Sequence, residues 1–442
     1  MSRRAAVTHR LERYFEFESL GTNWRTEILA GVTTFLTMAY IVFVNPSILA
    51  EAGVPPQAVM AATCVCAALG SILMGIYANY PIALAPGMGI NAYFAYTVCL
   101  GMGVPWQVAL GTVFVAGVAF VLLTFVGIRQ LIVSSLPVEL HASVAAGIGL
   151  FLALIGLRNA GIVVADPKTT VTLGNLRDPN TLLAVFGLFL IAVLMAWQVR
   201  AAMLIGILGA TALGAVFGLT RWQPQPLDWR QLSAATFQLD IRSALELGVL
   251  EVVFVFLFVA LFDNVGTLIG VAKKAGLIGQ DGQIPRVERI LLADATASIA
   301  GSLTGTSTVV SYIESAAGVS AGGRSGVTAI VTGLLFIAAL FLAPLVGVIP
   351  AAATAPALIV VGGMMVSTVS EIPWANPVVS MPAFLTMVTI PLTSSIANGI
   401  AIGFIAYTFL KLFRGEGRTV SWLVYLLTAL FLLRFAYLGG GH

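Results

Sequence analysis

The chain has 442 residues, of which 59% are hydrophobic and 9% charged, against about 25% charged in an ordinary soluble domain. So few charges cannot coat a globule of this size, which excludes a water-soluble enzyme, yet they suffice for the loops of a protein that crosses a membrane many times. A net charge of +3, dispersed along the chain, leaves no footprint for nucleic acid.

Residues 1–25 carry five arginines and three glutamates and no long apolar run, so they read as a cytoplasmic arm without a cleavable signal peptide. Uncharged apolar runs follow at 28–50, 59–77, 108–128, 141–157, 182–198 and 201–219, each of a length suited to a span. Between the second and third of these lies 81–100, which opens with Pro86, Gly87 and Gly89 where a continuous helix would want none. It predicts an extended lead-in followed by a half-helix. After an outer loop at 220–246 the plan repeats. Runs at 247–272 and 290–303 precede a polar, glycine-flanked segment at 305–319, and runs at 327–348, 357–369, 382–392 and 396–412 complete the set.

These elements predict an all-α membrane protein with fourteen transmembrane segments, the first repeat at 26–219 and the second at 247–412. Thr37 precedes Gly89 by 52 residues and Asp263 precedes Glu314 by 51, so the interrupted elements occupy matching positions in the two halves. Paired interruptions of this kind point to a transporter's binding site. With the N-terminus inside, fifteen Lys and Arg fall on the cytoplasmic side and six outside, in agreement with the positive-inside rule. Seven is odd, so the halves are inverted. The tail, 413–442, contains one further apolar stretch at 422–438 that Arg434 interrupts, and it predicts a helix lying in the membrane interface.

An acid inside a membrane segment costs about 2.5–3.5 kcal/mol on insertion scales and demands a reason. Asp263 and Glu314 are the two candidates for ligand contact, because a carboxylate accepts two parallel N–H bonds from the edge of a flat heterocycle. Thr308 and Ser311 surround Glu314 with further polar groups. Gly87 and Gly89 let backbone approach a ligand, and Asn91 can donate and accept. Tyr40, Phe94 and Phe262 are available for stacking. Asp294, near a helix end, reads as structural through Arg289 or Lys273, and Glu251 as interfacial. The three cysteines, Cys64, Cys66 and Cys99, lie in apolar stretches and read as packing residues, and three histidines (His9, His141, His442) build no metal site. With no metal-protease, P-loop or nucleophile-elbow motif, the sequence predicts neither an enzyme nor a cofactor.

Five stretches in order, 33–46 (TTFLTMAYIVFVNP), 85–94 (APGMGINAYF), 261–267 (LFDNVGT), 305–326 (GTSTVVSYIESAAGVSAGGRSG) and 391–404 (PLTSSIANGIAIGF), resemble the nucleobase:cation symporter type 2 family, in its Azg-like purine permease branch. The resemblance runs from the first span to the last. It implies two inverted sevens forming a core domain (spans 1–4 and 8–11) and a gate domain (5–7 and 12–14), with short strands leading into half-helices 3 and 10. It also implies an elevator-type movement of the core and substrate held by Glu314 and Asp263 with Gly89 and Asn91, the two acids also handling the coupling proton. The expected activity is import of hypoxanthine, guanine or adenine by proton symport across the inner membrane, by a chain that pairs as a homodimer. Alternatives are a sulfate or bicarbonate carrier of related fold, or a uracil or xanthine permease. Two departures stand out: Ala260 replaces an acid common in the branch, and Asn264 stands where Thr is expected.

Overall fold

A computed structural model describes residues 3–125, 138–220, 228–277, 284–345 and 347–437, with side chains for all of these except 3–7, 138–139, 247–250, 262–263, 265–266 and 269. The described chain is mostly helical, and among the described residues eight helices are long and apolar enough to cross a membrane. The N-terminal arm forms α1 (Arg3–Tyr14) and α2 (Phe17–Leu20). It is docked rather than free. The Tyr14 hydroxyl donates to the Ile76 carbonyl (2.6 Å), Glu16 pairs with Arg286 (3.1 Å), and Phe15 and Phe17 bury against Val327.

The run read as one span over 28–50 is two helices, α3 (Trp24–Met38) and α4 (Ile41–Glu51). At Ala39 and Tyr40 the bonding tightens to a three-residue spacing, with Val42 N–H donating to Ala39 (3.2 Å) and Phe43 N–H to Tyr40 (3.1 Å). Pro46 then has no N–H to offer the Val42 carbonyl, so the helix axis is weakened on both sides of the break. Next come α5 (Pro56–Leu73) with a widened last turn, strand β1 (Leu84–Pro86), half-helix α6 (Met88–Ala92) running on through a wide turn to Gly101, α7 (Trp106–Phe125) and α8 (Val138–Asn159). An exposed hairpin, β2 (Val163–Asp166) and β3 (Thr170–Leu173), sits in a stretch read from sequence only as loop. Asp166 closes its turn by accepting the N–H groups of Lys168 and Thr169, both at 2.8 Å.

After α9 (Pro179–Ala196), α10 (Ala202–Val216) and the short α11 (Trp229–Leu232) and α12 (Ile241–Ala244), the second series begins. It comprises α13 (Leu247–Ala275), α14 (Val287–Thr304), strand β4 (Val309–Ser311), half-helix α15 (Ser315–Ser320), α16 (Gly326–Ala339), α17 (Ala351–Val366), α18 (Pro377–Thr393), α19 (Ile396–Phe413) and α20 (Trp422–Tyr437). The stretch expected to lie in the interface is α20, and it packs antiparallel along α19. Thr428 meets Thr408 (2.7 Å), and Arg434, further along α20, donates to Asn398 near the start of α19 (3.0 Å). Arg434 also pairs with Glu251 at 2.5 Å.

The two interrupted elements meet. β1 and β4 pair antiparallel, Leu84 opposite Ser311, Ala85 opposite Val310 and Pro86 opposite Val309, and all six residues are buried. Gly87 N–H donates to the Thr308 carbonyl and Tyr312 N–H to the Ala83 carbonyl, each at 3.0 Å, which extends the ribbon at both ends. Side chains serve the outer edges. Ser71 on α5 accepts from Leu84 N–H (2.9 Å) and donates back to its carbonyl (3.2 Å), Ser298 on α14 donates to the Val309 carbonyl (2.7 Å), and Ser315 accepts from Ala83 N–H (3.0 Å). Asn264 on α13 accepts from Ser311 N–H (2.9 Å) and donates to Asp294 (2.6 Å). In a setting without water each of these backbone groups would otherwise be left unpaired at a cost of several kcal/mol.

Glycines let the helices close on one another. A Cβ on Gly149 of α8 would lie 2.6 Å from the Gly362 carbonyl of α17, and one on Gly326 would run into the Gly75 carbonyl. We therefore expect Gly326→Ala to lower stability by about 1–3 kcal/mol through overpacking, read as an earlier thermal unfolding of the detergent-solubilised protein. Asn264→Leu removes the acceptor for Ser311 N–H and a donor to Asp294, and should cost a similar ~1–3 kcal/mol. An unchanged melting curve would show that β4 does not need this clamp.

Candidate functional site

Where the ribbon ends, a small cavity of about 70 Å³ opens between the two half-helices and α17. Tyr40 from the α3–α4 break, Gly87, Met88 and Gly89 from the start of α6, Thr267 from α13, and Ser311 to Glu314 from the end of β4 line it. Val361 and Met365 of α17 add apolar side chains to the lining. Main chain from two halves of the sequence thus converges on one space, because each strand stops just short of its half-helix.

Glu314 is the acid in this lining. The Tyr40 hydroxyl donates to its Oε1 at 2.7 Å, and Tyr40 itself is 1% exposed. The Tyr312 hydroxyl turns the other way and donates to the Pro86 carbonyl (2.5 Å), tying the two strand tips together. The Ser311 hydroxyl is buried without a hydrogen-bond partner among the described residues. A buried hydroxyl in that condition at a cavity wall is a group available to a ligand.

The remaining sequence candidates fall in different places. Gly89 lines the cavity, and the Ile148 side chain of α8 packs so closely on it that a Cβ would collide. Asn91 lies off the cavity in a fully buried polar knot: it donates to Asn45 (2.6 Å) and accepts from Ser307, while Asn45 donates to Thr63 (2.8 Å) and Thr306 (2.9 Å). Thr308 is buried behind the strand, its carbonyl serving Gly87 and its hydroxyl unpaired among the described residues. Asp263 sits on α13, one residue before Asn264, and its side chain, like that of Phe262, lies outside the described residues. Phe94 packs on Phe256 away from the cavity. Asp294 accepts a hydrogen bond from Asn264 (2.6 Å).

Sequence reasoning passed over Glu27. This fully buried acid accepts from the Thr22 hydroxyl (2.7 Å), Arg324 N–H (2.9 Å), Ser325 N–H (3.2 Å) and the Thr328 hydroxyl (2.6 Å), and so caps the start of α16. Its place in the first turn of α3 makes it look like an ordinary helix-start acid. Thr267, Met88, Val361 and Met365 were also missed. Nothing local marks an aliphatic residue as a cavity wall.

A profile described as "Permease family" matches residues 25–402. The chain is 45% identical to the adenine permease AdeP of Escherichia coli over 97% of its own length and 96% of that protein's. It is likewise 45% identical to the guanine/hypoxanthine permease PbuG of Bacillus subtilis over 97% and 100% of the two chains. Among solved structures, the transmembrane domain of the cyanobacterial bicarbonate transporter BicA superposes with a TM-score of 0.64 at 17% identity, covering 86% of this chain and 96% of that one, a likeness of fold alone. On the extent of the profile match and of these relatives, the chain belongs to the permease family of nucleobase:cation symporters of type 2, and is a transporter rather than an enzyme.

Proposed function

We propose that this protein imports a purine base, hypoxanthine, guanine or adenine, by proton symport across the inner membrane, with its N-terminus in the cytoplasm. The observation that carries the reading is Glu314, a membrane-embedded acid with one hydrogen bond from Tyr40 that lines a cavity between two interrupted elements. In this reading Glu314 accepts N–H groups from the edge of the base, and the Ser311 hydroxyl and the backbone at Gly89 meet its other polar atoms. Asp263, on the neighbouring span, is the acid we assign to exchange the coupling proton. Asn91 and Thr308 support the half-helices that carry these groups.

The movement we propose is of the elevator type. Fourteen segments form two inverted sevens, 26–219 and 247–412, with a core of spans 1–4 and 8–11 sliding against a gate of 5–7 and 12–14 that pairs two copies in a homodimer. The cavity lining supports such a division, because it draws on the α3–α4 break, α6, α13 and β4 from the proposed core and on α17 from the proposed gate. The relatives named as adenine and guanine/hypoxanthine permeases support the choice of a purine. An anion would meet the Glu314 carboxylate, which disfavours sulfate or bicarbonate as cargo.

The test is uptake of labelled hypoxanthine into cells that lack their own purine carriers. Expression should confer uptake that a proton uncoupler abolishes and that unlabelled guanine or adenine, but not sulfate, competes away. Glu314→Gln should weaken uptake at limiting substrate by about 10- to 100-fold, the range for losing a hydrogen bond to a charged acceptor. Undiminished uptake in that variant would remove Glu314 from the site.

A further inference from the structure

We propose that Tyr40 is a positioning residue for the substrate: its hydroxyl fixes the plane of the Glu314 carboxylate and thereby decides how a flat ligand is received. This rests on the reading of Glu314 as the base-binding acid. Tyr40 stands at the break between α3 and α4, fully buried, with its hydroxyl 2.7 Å from Oε1. The bond joins residues 274 apart in sequence and ties two separate elements of the fold together.

The two partners are held in place by packing on either side of the bond. Half-helix α15, which follows Glu314, lies directly on α3, which precedes Tyr40. A Cβ on Gly318 would come 2.7 Å from the Ala30 carbonyl and would strike the Thr34 hydroxyl. Neither backbone can drift from the other, so the hydroxyl meets the carboxylate in one geometry before any ligand arrives. A carboxylate has about four lone-pair directions in its plane. With one of them spent on a fixed donor, free rotation about the last side-chain bond is restricted, and the remaining directions keep a set orientation in a residue that lines the cavity. A ligand whose N–H groups lie in its own plane must then bind with that plane aligned to the carboxylate.

The experiment is a double-mutant cycle on binding of labelled hypoxanthine to the purified full-length protein, using Tyr40→Phe, Glu314→Gln and the pair together. Tyr40→Phe should weaken binding by about tenfold, and the double variant should bind no more weakly than Glu314→Gln alone, because the hydroxyl acts only through that carboxylate. Uptake kinetics add a second readout: the Tyr40→Phe loss should appear in KM, and the preference for hypoxanthine over adenine should narrow. Multiplying effects in the cycle, or wild-type affinity and selectivity in Tyr40→Phe, would overturn the inference and leave the Glu314 reading intact. Wild-type affinity in Glu314→Gln would overturn the base-binding reading itself, and the role of Tyr40 with it.

Discussion

The architecture turns on a ribbon of two three-residue strands set inside an apolar interior. In water such a ribbon would not hold together on its own. Here the alternative to pairing is a row of backbone groups with no partner, so the pairing of β1 with β4 is enforced by the lack of water around it. Three of the helices that touch the ribbon each contribute a small polar group to its free edge, Ser71 from α5, Ser298 from α14 and Asn264 from α13. The consequence is positional accuracy: the strand ends cannot slide, and the half-helices that begin there carry Gly89 and Glu314 to one place.

The buried acids illustrate how one residue type acquires different roles from its partners. Glu27 is saturated, with two backbone N–H groups and two hydroxyls around its carboxylate, and has nothing left to offer a ligand. Asp294 accepts the Asn264 amide, whose oxygen in turn holds β4, which makes this acid part of the ribbon's support. Glu251 is paired with Arg434. Glu314 accepts from the Tyr40 hydroxyl and has a cavity beside it. What sets Glu314 apart from the acids that brace the fold is the cavity beside it, which none of the other three lines.

Much of this was legible from residue order. Low charge and repeated apolar runs predicted a helical membrane protein, and glycine and proline at 86–89 together with the polar stretch around 305–315 marked the two interrupted elements. What could not be read is whatever depends on residues far apart meeting. Asn91 carries the chemistry of a ligand-binding group, yet its amide is consumed by Asn45 and Ser307, a knot assembled from three distant elements. Tyr40 could be noticed only as an aromatic, since its hydroxyl partner lies 274 residues on. The break at Ala39–Tyr40 was hidden because no glycine or proline stands at it. Arg434 interrupts an apolar stretch and so suggested an interfacial helix, whereas in three dimensions its charge is met by Glu251 and Asn398.

The width of the cavity follows from packing between helices rather than from a loop. Two residues of its lining, Val361 and Met365, belong to α17, and α17 is drawn against α8 where Gly149 and Gly362 meet backbone to backbone. The residue before Gly149 is Ile148, whose side chain fills the space over Gly89 at the start of α6. One chain of contacts therefore runs from half-helix to α8 to the α17 residues that share the cavity with Glu314, and each link is a site where only a hydrogen fits. Close-packed interiors have little capacity to absorb an added methyl group, so a side chain at any of these glycines would displace what packs against it. In the function we propose, a space bounded in this way would select for thickness through its aliphatic lining and for hydrogen-bond pattern through Glu314 and Ser311, the two properties that define a flat heterocycle.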